Sequence, residues 1–250
     1  DWLRSNWWKI QRMRPQMRQS IRRADRYCAS PRVAKHRAFV WLAWPVTSDD
    51  QTVVFARSDD YFFGVLHSRL HEVWALAQGT QLREKESGFR YTPTTCFETF
   101  PFPWVPGAEL VDDPLVQDIG AAAADLCGLR DVWLNPPDWT REEIFEFPGS
   151  IDGPWSRYVH APDGRGIGTV RYPRIVPLNE DHAAKLRKRT LTNLYNERPQ
   201  WLAMAHRRLD EAVCAAYAAT HGGSWTADMP EEQILVQLLE LNAVVARRIG

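Results

Sequence analysis

Asn135–Asp138 reads Asn-Pro-Pro-Asp, the stretch of the chain that most resembles a catalytic motif. An asparagine, two prolines and an aromatic make a pocket for an exocyclic amine. The amide and a proline carbonyl hold the amine, and the aromatic stacks on the flipped base. Here the fourth position is Asp138, and the aromatic, Trp139, comes one place late. The residues before it, "LCGLRDVWL", have the pattern of a helix end, where such a pocket needs the end of a strand. Amine methylation would also need S-adenosylmethionine (SAM), held by a glycine-rich strand–turn–helix upstream, and none is visible. "GRGIG" at 164–168 lacks both the strand before and the helix after. A proline-rich linker is the better account of 135–138. His67 and His71, four apart with Glu72 adjacent, have the look of a zinc pair. The H-E-x-x-H spacing is absent, however, and no third ligand is evident. No nucleophile elbow, phosphate loop or set of nuclease carboxylates is present. The expectation is a chain with no catalytic residues, no cofactor and no metal of its own.

Charge points elsewhere. The 250 residues carry 31 basic and 31 acidic groups, but the distribution is uneven. Residues 1–37 hold 11 basic side chains against Asp1 and Asp25, a charge of +9, and the remainder carries −9. A basic leading segment on a neutral chain suggests an acidic partner, nucleic acid first. Cys28, Cys96, Cys127 and Cys214 form no C-x-x-C pair, which fits reduced thiols in a cytoplasmic protein. No apolar run approaches the ~18 residues of a membrane span. The chain begins at Asp1 without a signal peptide, and it reads as the C-terminal piece of something longer.

The elements that would position these groups divide the chain in two. Pro15 can open a helix running to about Tyr27. "RAFVWLAW" (37–44) and "QTVVFAR" (51–57) are rich in β-formers and predict a pair of strands joined by a polar turn. Residues 59–79 predict one amphipathic helix, capped by Asp59 or Asp60 and closed by Gly79. A polar loop, "TQLREKESG", follows. Then comes "FRYTPTTCFETFPFPW" (89–104), whose three prolines and six aromatics predict an extended loop. Phe97, Phe100, Phe102 and Trp104 are expected to pack against the strands. Helices are predicted at 113–130, 198–217 and 230–248, with a Pro/Gly-rich irregular segment at about 135–178 that contains a hairpin near 158–173. The fold class is therefore α+β. A mixed α/β domain (1–107) precedes a mainly helical C-terminal domain (108–250).

Four blocks in order carry a resemblance: "RYCASPRVAKHRAFVWL", "ARSDDYFFGVLHSRLHEVWAL", "FRYTPTTCFETFPFP" and "LRKRTLTNLYNERPQWL". Together they resemble the C-terminal part of large bacterial adenine-N6 DNA methyltransferases, the MmeI-like type IIL/IIG restriction–modification enzymes and their methyltransferase-only relatives. The resemblance runs from about Trp2 to Arg248 and is weakest at 140–175. It implies a target recognition domain followed by a helical domain. The SAM-binding methyltransferase domain, and in some members a nuclease, would lie upstream in the same chain. It also implies double-stranded DNA as partner and a bacterial cytoplasmic, nucleoid-associated setting.

Under that resemblance the side chains fall into two groups. Arg32, Lys35, His36 and Arg37 follow Pro31 in an extended segment, where cations meet phosphate oxygens. Arg90, Tyr91, Thr94 and Thr95 add a guanidinium, a phenol and hydroxyls on a backbone stiffened by Pro93, again for backbone contacts. Gln81, Arg83, Glu84, Lys85 and Glu86 are the expected base readers, because Arg pairs with guanine, Gln with adenine and Glu with cytosine. Arg187, Lys188 and Arg189 are further phosphate candidates beside a helical core of Leu191, Leu194, Tyr195, Trp201 and Leu202. The alternative is an interdomain scaffold of the same enzyme, docking protein through Trp7, Trp8 and the C-terminal helices without touching DNA.

Overall fold

The computed structural model describes residues 14–81 and 88–249, and its architecture is α+β. Helix α1 (Pro15–Arg23) starts on Pro15, whose missing N–H costs nothing in a first turn. It ends four residues before the expected Tyr27, because Tyr27–Pro31 is a strand, β1. After β2 (Val33–Ala34) come β3 (Val40–Leu42) and β4 (Thr52–Phe55). The predicted strands β3 and β4 do not pair with each other. Both flank β1, in the antiparallel order β3–β1–β4, with Cys28 opposite Trp41 on one side and Phe55 on the other. One face of this sheet carries Tyr27 and Ala29 against Ile21 of α1 and Trp44. The other carries Cys28, Val53 and Phe55 into the main core.

The expected single helix over 59–79 is two, α2 (Asp60–His67) and α3 (Arg69–Gln78). Asp59 caps α2 by accepting from the Phe62 amide at 2.8 Å. Ser68 leaves the helical region at ψ 157°, and its hydroxyl donates to the Val65 carbonyl at 2.7 Å and accepts from the His71 amide. One serine thus caps both ends of the break. Strands β5 (Thr80–Gln81) and β6 (Phe89–Arg90) then form a second small sheet with β2, in the order β2–β6–β5. Part of the expected extended loop is a one-turn helix, α4 (Pro93–Cys96), with Pro93 in its first turn. Phe100 and Phe102 beyond it are buried, with Phe97 and Trp104 packed on the same core.

Helices α5 (Pro114–Leu134), α6 (Glu180–Leu186), α7 (Leu191–Glu197), α8 (Gln200–His221) and α9 (Glu231–Ile249) complete the helical part. Gly64 lets α2 lie directly on α5, since a Cβ there would stand 2.7 Å from Ile119 Cγ2. The apolar core is continuous from Phe62 and Leu66 through Ile119 and Leu126 to Leu209, Val213, Ile234 and Leu238.

The segment 135–178 is not irregular. Its main feature is a β-ribbon, β7 (Thr140–Ser150) paired over its whole length with β9 (Ile167–Pro177), with β8 (Val159–His160) on the far side of β9. The anticipated hairpin near 158–173 is the β8–β9 turn. Trp155, Tyr158, Phe147 and Tyr172 cluster at the ribbon's end, with Trp155 and Tyr172 at 4.8 Å. That end grips the first part of the chain. Arg157 donates to the carbonyls of Arg22 (2.7 Å) and Ala24 (3.0 Å), and the Trp44 indole donates to Pro154 O.

Candidate nucleic-acid interface

The β2–β6–β5 ladder sets the geometry. Val33, Arg90 and Thr80 stand in one cross-strand row, and Ala34, Phe89 and Gln81 in the next. Successive side chains of a strand face opposite ways, so burying Phe89 turns Arg90 outward, where it is exposed beside Thr80. Glycines at both ends let the chains approach. At Gly88 (φ +84°) a Cβ would lie 2.5 Å from the Ala34 carbonyl, and at Gly79 one would strike the Phe89 ring. Residues 82–87 join β5 to β6 in the sequence. Arg83, Glu84, Lys85 and Glu86 lie outside the described residues, and for Gln81 the backbone alone is placed, opposite Phe89.

Of the backbone candidates, Arg32, Lys35, His36, Arg90, Thr94 and Thr95 are exposed or partly exposed. Arg32 sits at the joint of the two sheets. Its amide donates to Gln51 O, its Nε to Asp50 O at 2.6 Å, and its carbonyl accepts from the Tyr91 amide. Lys35 Nζ and His36 Nε2 lie 2.7 and 2.8 Å from Asn196 Oδ1 on α7. Two candidates are corrected. The Tyr91 side chain is fully buried, its hydroxyl 3.0 Å from His71 Nε2, and cannot reach a phosphate. Arg37 is a structural clasp. Its guanidinium donates to Ser30 Oγ, Pro31 O and Phe89 O and lies over the Phe89 and Tyr91 rings. Arg189 is likewise taken up, 4.3 Å from the Trp139 ring centroid and donating to Trp133 O, whereas Arg187 and Lys188 are exposed.

Beneath this surface runs a buried polar relay that sequence reading did not assemble. Tyr195 OH lies 2.9 Å from both His67 Nε2 and His206 Nε2. Arg130, 4% exposed, donates to the Phe39 carbonyl at 2.8 Å and places Nη1 2.9 Å from His67 Nε2. Burial drives the proton affinity of His67 well below the usual histidine range, and the Arg130 charge adds to this. Burial likewise brings His71 and His206 down to about 4. His71 Nδ1 is 2.7 Å from the Leu66 carbonyl, so that nitrogen carries the proton and Nε2 accepts from Tyr91. The pair considered for zinc is therefore engaged in protein hydrogen bonds. Among the described residues no group of three or more His, Cys, Asp or Glu is placed to hold a metal. The four relay members come from α2, α5, α7 and α8, and nothing in their spacing along the chain announces the meeting.

Asn135–Asp138 forms the turn from α5 into β7, with the Pro136 carbonyl accepting from the Trp139 amide and the Thr140 hydroxyl. No described helix is long and apolar enough to cross a membrane.

Comparison with known proteins bears on the same region. Residues 13–104 match the family model of the MmeI target recognition domain. That range contains both small sheets, α1–α4 and all the described recognition candidates of the first part. Among solved structures, the chain is similar to the type IIL restriction–modification enzyme MmeI in complex with DNA, at a TM-score of 0.55 and 19% identity over 89% of this chain. The chain spans 21% of that protein. None of the curated proteins matches it in sequence.

Proposed function

We propose that this chain is a sequence-specific double-stranded DNA recognition module, the C-terminal part of a SAM-dependent adenine-N6 DNA methyltransferase in a bacterial restriction–modification system. The observation that carries the reading is the match of residues 13–104 to the MmeI target recognition domain, on a fold that leaves Arg90 and Thr80 exposed side by side. In this reading SAM and the transferring residues belong to the methyltransferase domain upstream in the chain, and this part chooses the site and holds the duplex. Arg32, Lys35, His36, Arg90, Thr94 and Thr95 meet the phosphates, which position the protein without reading sequence. Gln81, Arg83, Glu84, Lys85 and Glu86 read base edges, each good pair worth about 1–3 kcal/mol of discrimination.

Selection from a randomised duplex pool, scored by sequencing, tests this. The wild type is expected to enrich one site, and Arg83→Ala or Glu84→Gln to relax or change one position of it. Enrichment of no site by the wild type, or of the same site by every loop variant, would overturn the assignment. The scaffold reading has one observation in its favour. An open groove of about 820 Å³ between α5 and α8, with Leu129 and Met204 exposed in it, offers a face for another protein part. It lies among different residues from those assigned to DNA, so the two readings are compatible.

A further inference from the structure

We infer that Lys35, His36 and Asn196 form a phosphate seat shared between the recognition domain and α7, and that the DNA-facing surface continues along Asn193 to Lys188. This deepens the reading above and rests on it. Asn196 and Asn193 are exposed and three apart, so they share one face of α7. At one end of that face Lys35 Nζ and His36 Nε2 converge on Asn196 Oδ1. At the other, Asn193 Nδ2 donates to the Lys188 carbonyl at 2.7 Å. The two sets of contacts, from the end of β2 and from the exposed Lys188, thus meet on one face of α7.

The chemistry of the seat follows from its donors. An ammonium has no acceptor, so the Asn196 atom facing Lys35 is the amide oxygen. The His36 Nε2–H fixes the same oxygen from a second side. The amide is thereby oriented, and Nδ2 brings two N–H donors to a site where the lysine ammonium has others to spare. A phosphate diester offers acceptors alone, which is the complement of such a set. The helix that carries Asn196 is held from below. Leu194 is fully buried, and Tyr195 OH is fixed by His67 and His206, so the seat is set before a ligand arrives. Arg130 lies under the same helix, and among the described residues no carboxylate pairs with it.

Fluorescence anisotropy with a labelled duplex, repeated from 50 to 200 mM salt, tests the seat. Asn196→Ala is expected to weaken binding about 5-fold for every duplex sequence alike. Asn196→Asp, which sets an acceptor-only anion against Lys35, should weaken it more than about 10-fold. Lys188→Ala should lower the slope of log K against log salt by about 0.9, the share of one phosphate contact. Melting curves accompany each variant, and Lys188→Ala carries the test should an Asn196 variant melt early. Wild-type affinity and slope in all three variants would overturn the seat while leaving the recognition reading intact. Failure of the unaltered chain to bind any duplex at 50 mM salt would overturn both.

Discussion

Burial holds three histidines neutral, and acid works against that. His71 and His206 bind protons near pH 4 when folded, against about 6.5 in an unfolded chain, and burial lowers His67 in the same direction. Between those limits the unfolded state takes up more protons. The stability they lend is complete above pH 6.5 and is lost as pH falls toward 4. At pH 5 each of the two costs about 2 kcal/mol relative to pH 8. Asp210 acts in the opposite sense. Burial raises its carboxyl to about 7, so its folded form binds the extra proton and it favours folding as pH falls from 7 toward 3.8. Burial raises Glu72 and Asp131 too, but only Asp210 is moved as far as His71 and His206, so denaturant melts from pH 8 to 5 should show a net loss. Asp210→Asn should raise stability at pH 8 and steepen the loss on acidification. A flat profile would mean that these groups titrate as they do in solvent. Residue type alone did not reveal such roles. Arg37 is a cation like its neighbour Lys35, and Tyr91 a polar phenol beside Arg90, so residue type and position in sequence do not separate them. Whether each faces solvent depends on its strand partner and on the helix beneath, and those come from distant stretches of chain.

The elements legible in the sequence were those with one dry face. Helices α5, α8 and α9 each show an apolar stripe, and the strands β3 and β4 show β-branched and aromatic runs. Strand β1 was hidden because Tyr27 through Ser30 are all buried, so alternation is lost, and "CAS" has no strand-favouring residues. The break at Ser68 was hidden because the apolar period continues across it. The ribbon was masked by its own composition. Pro148, Pro173 and Pro177 signalled loop, yet a two-stranded stretch has outward edges where a missing N–H is tolerated. Close packing of elements also gives a sharp test. In Gly64→Ala the new methyl would meet Ile119, Ala123 and Leu209 from three sides, all within 3.1 Å. Parting α2 from α5 should cost about 1–3 kcal/mol in a denaturant melt. A neutral result would show that the two helices have slack between them.

A shift in composition near residue 107 was readable, although the part beyond it also holds the β-ribbon. The way the two parts share an interior was not, since it depends on α2 lying against α5 and α8. That continuity predicts one cooperative transition by calorimetry, with van't Hoff and calorimetric enthalpies in agreement. Two resolved transitions would show that the interior divides. The exposed connection between the parts has a consequence of its own. Val105, Leu110 and Val111 are 70%, 68% and 76% accessible, on a stretch bridging two bodies already fastened at their interior and again where the ribbon clasps Arg22 and Trp44. A protease scission there would break a covalent bond without releasing a fragment. The split halves would stay associated, and halves produced separately would reassemble, without the covalent link, into the same fold.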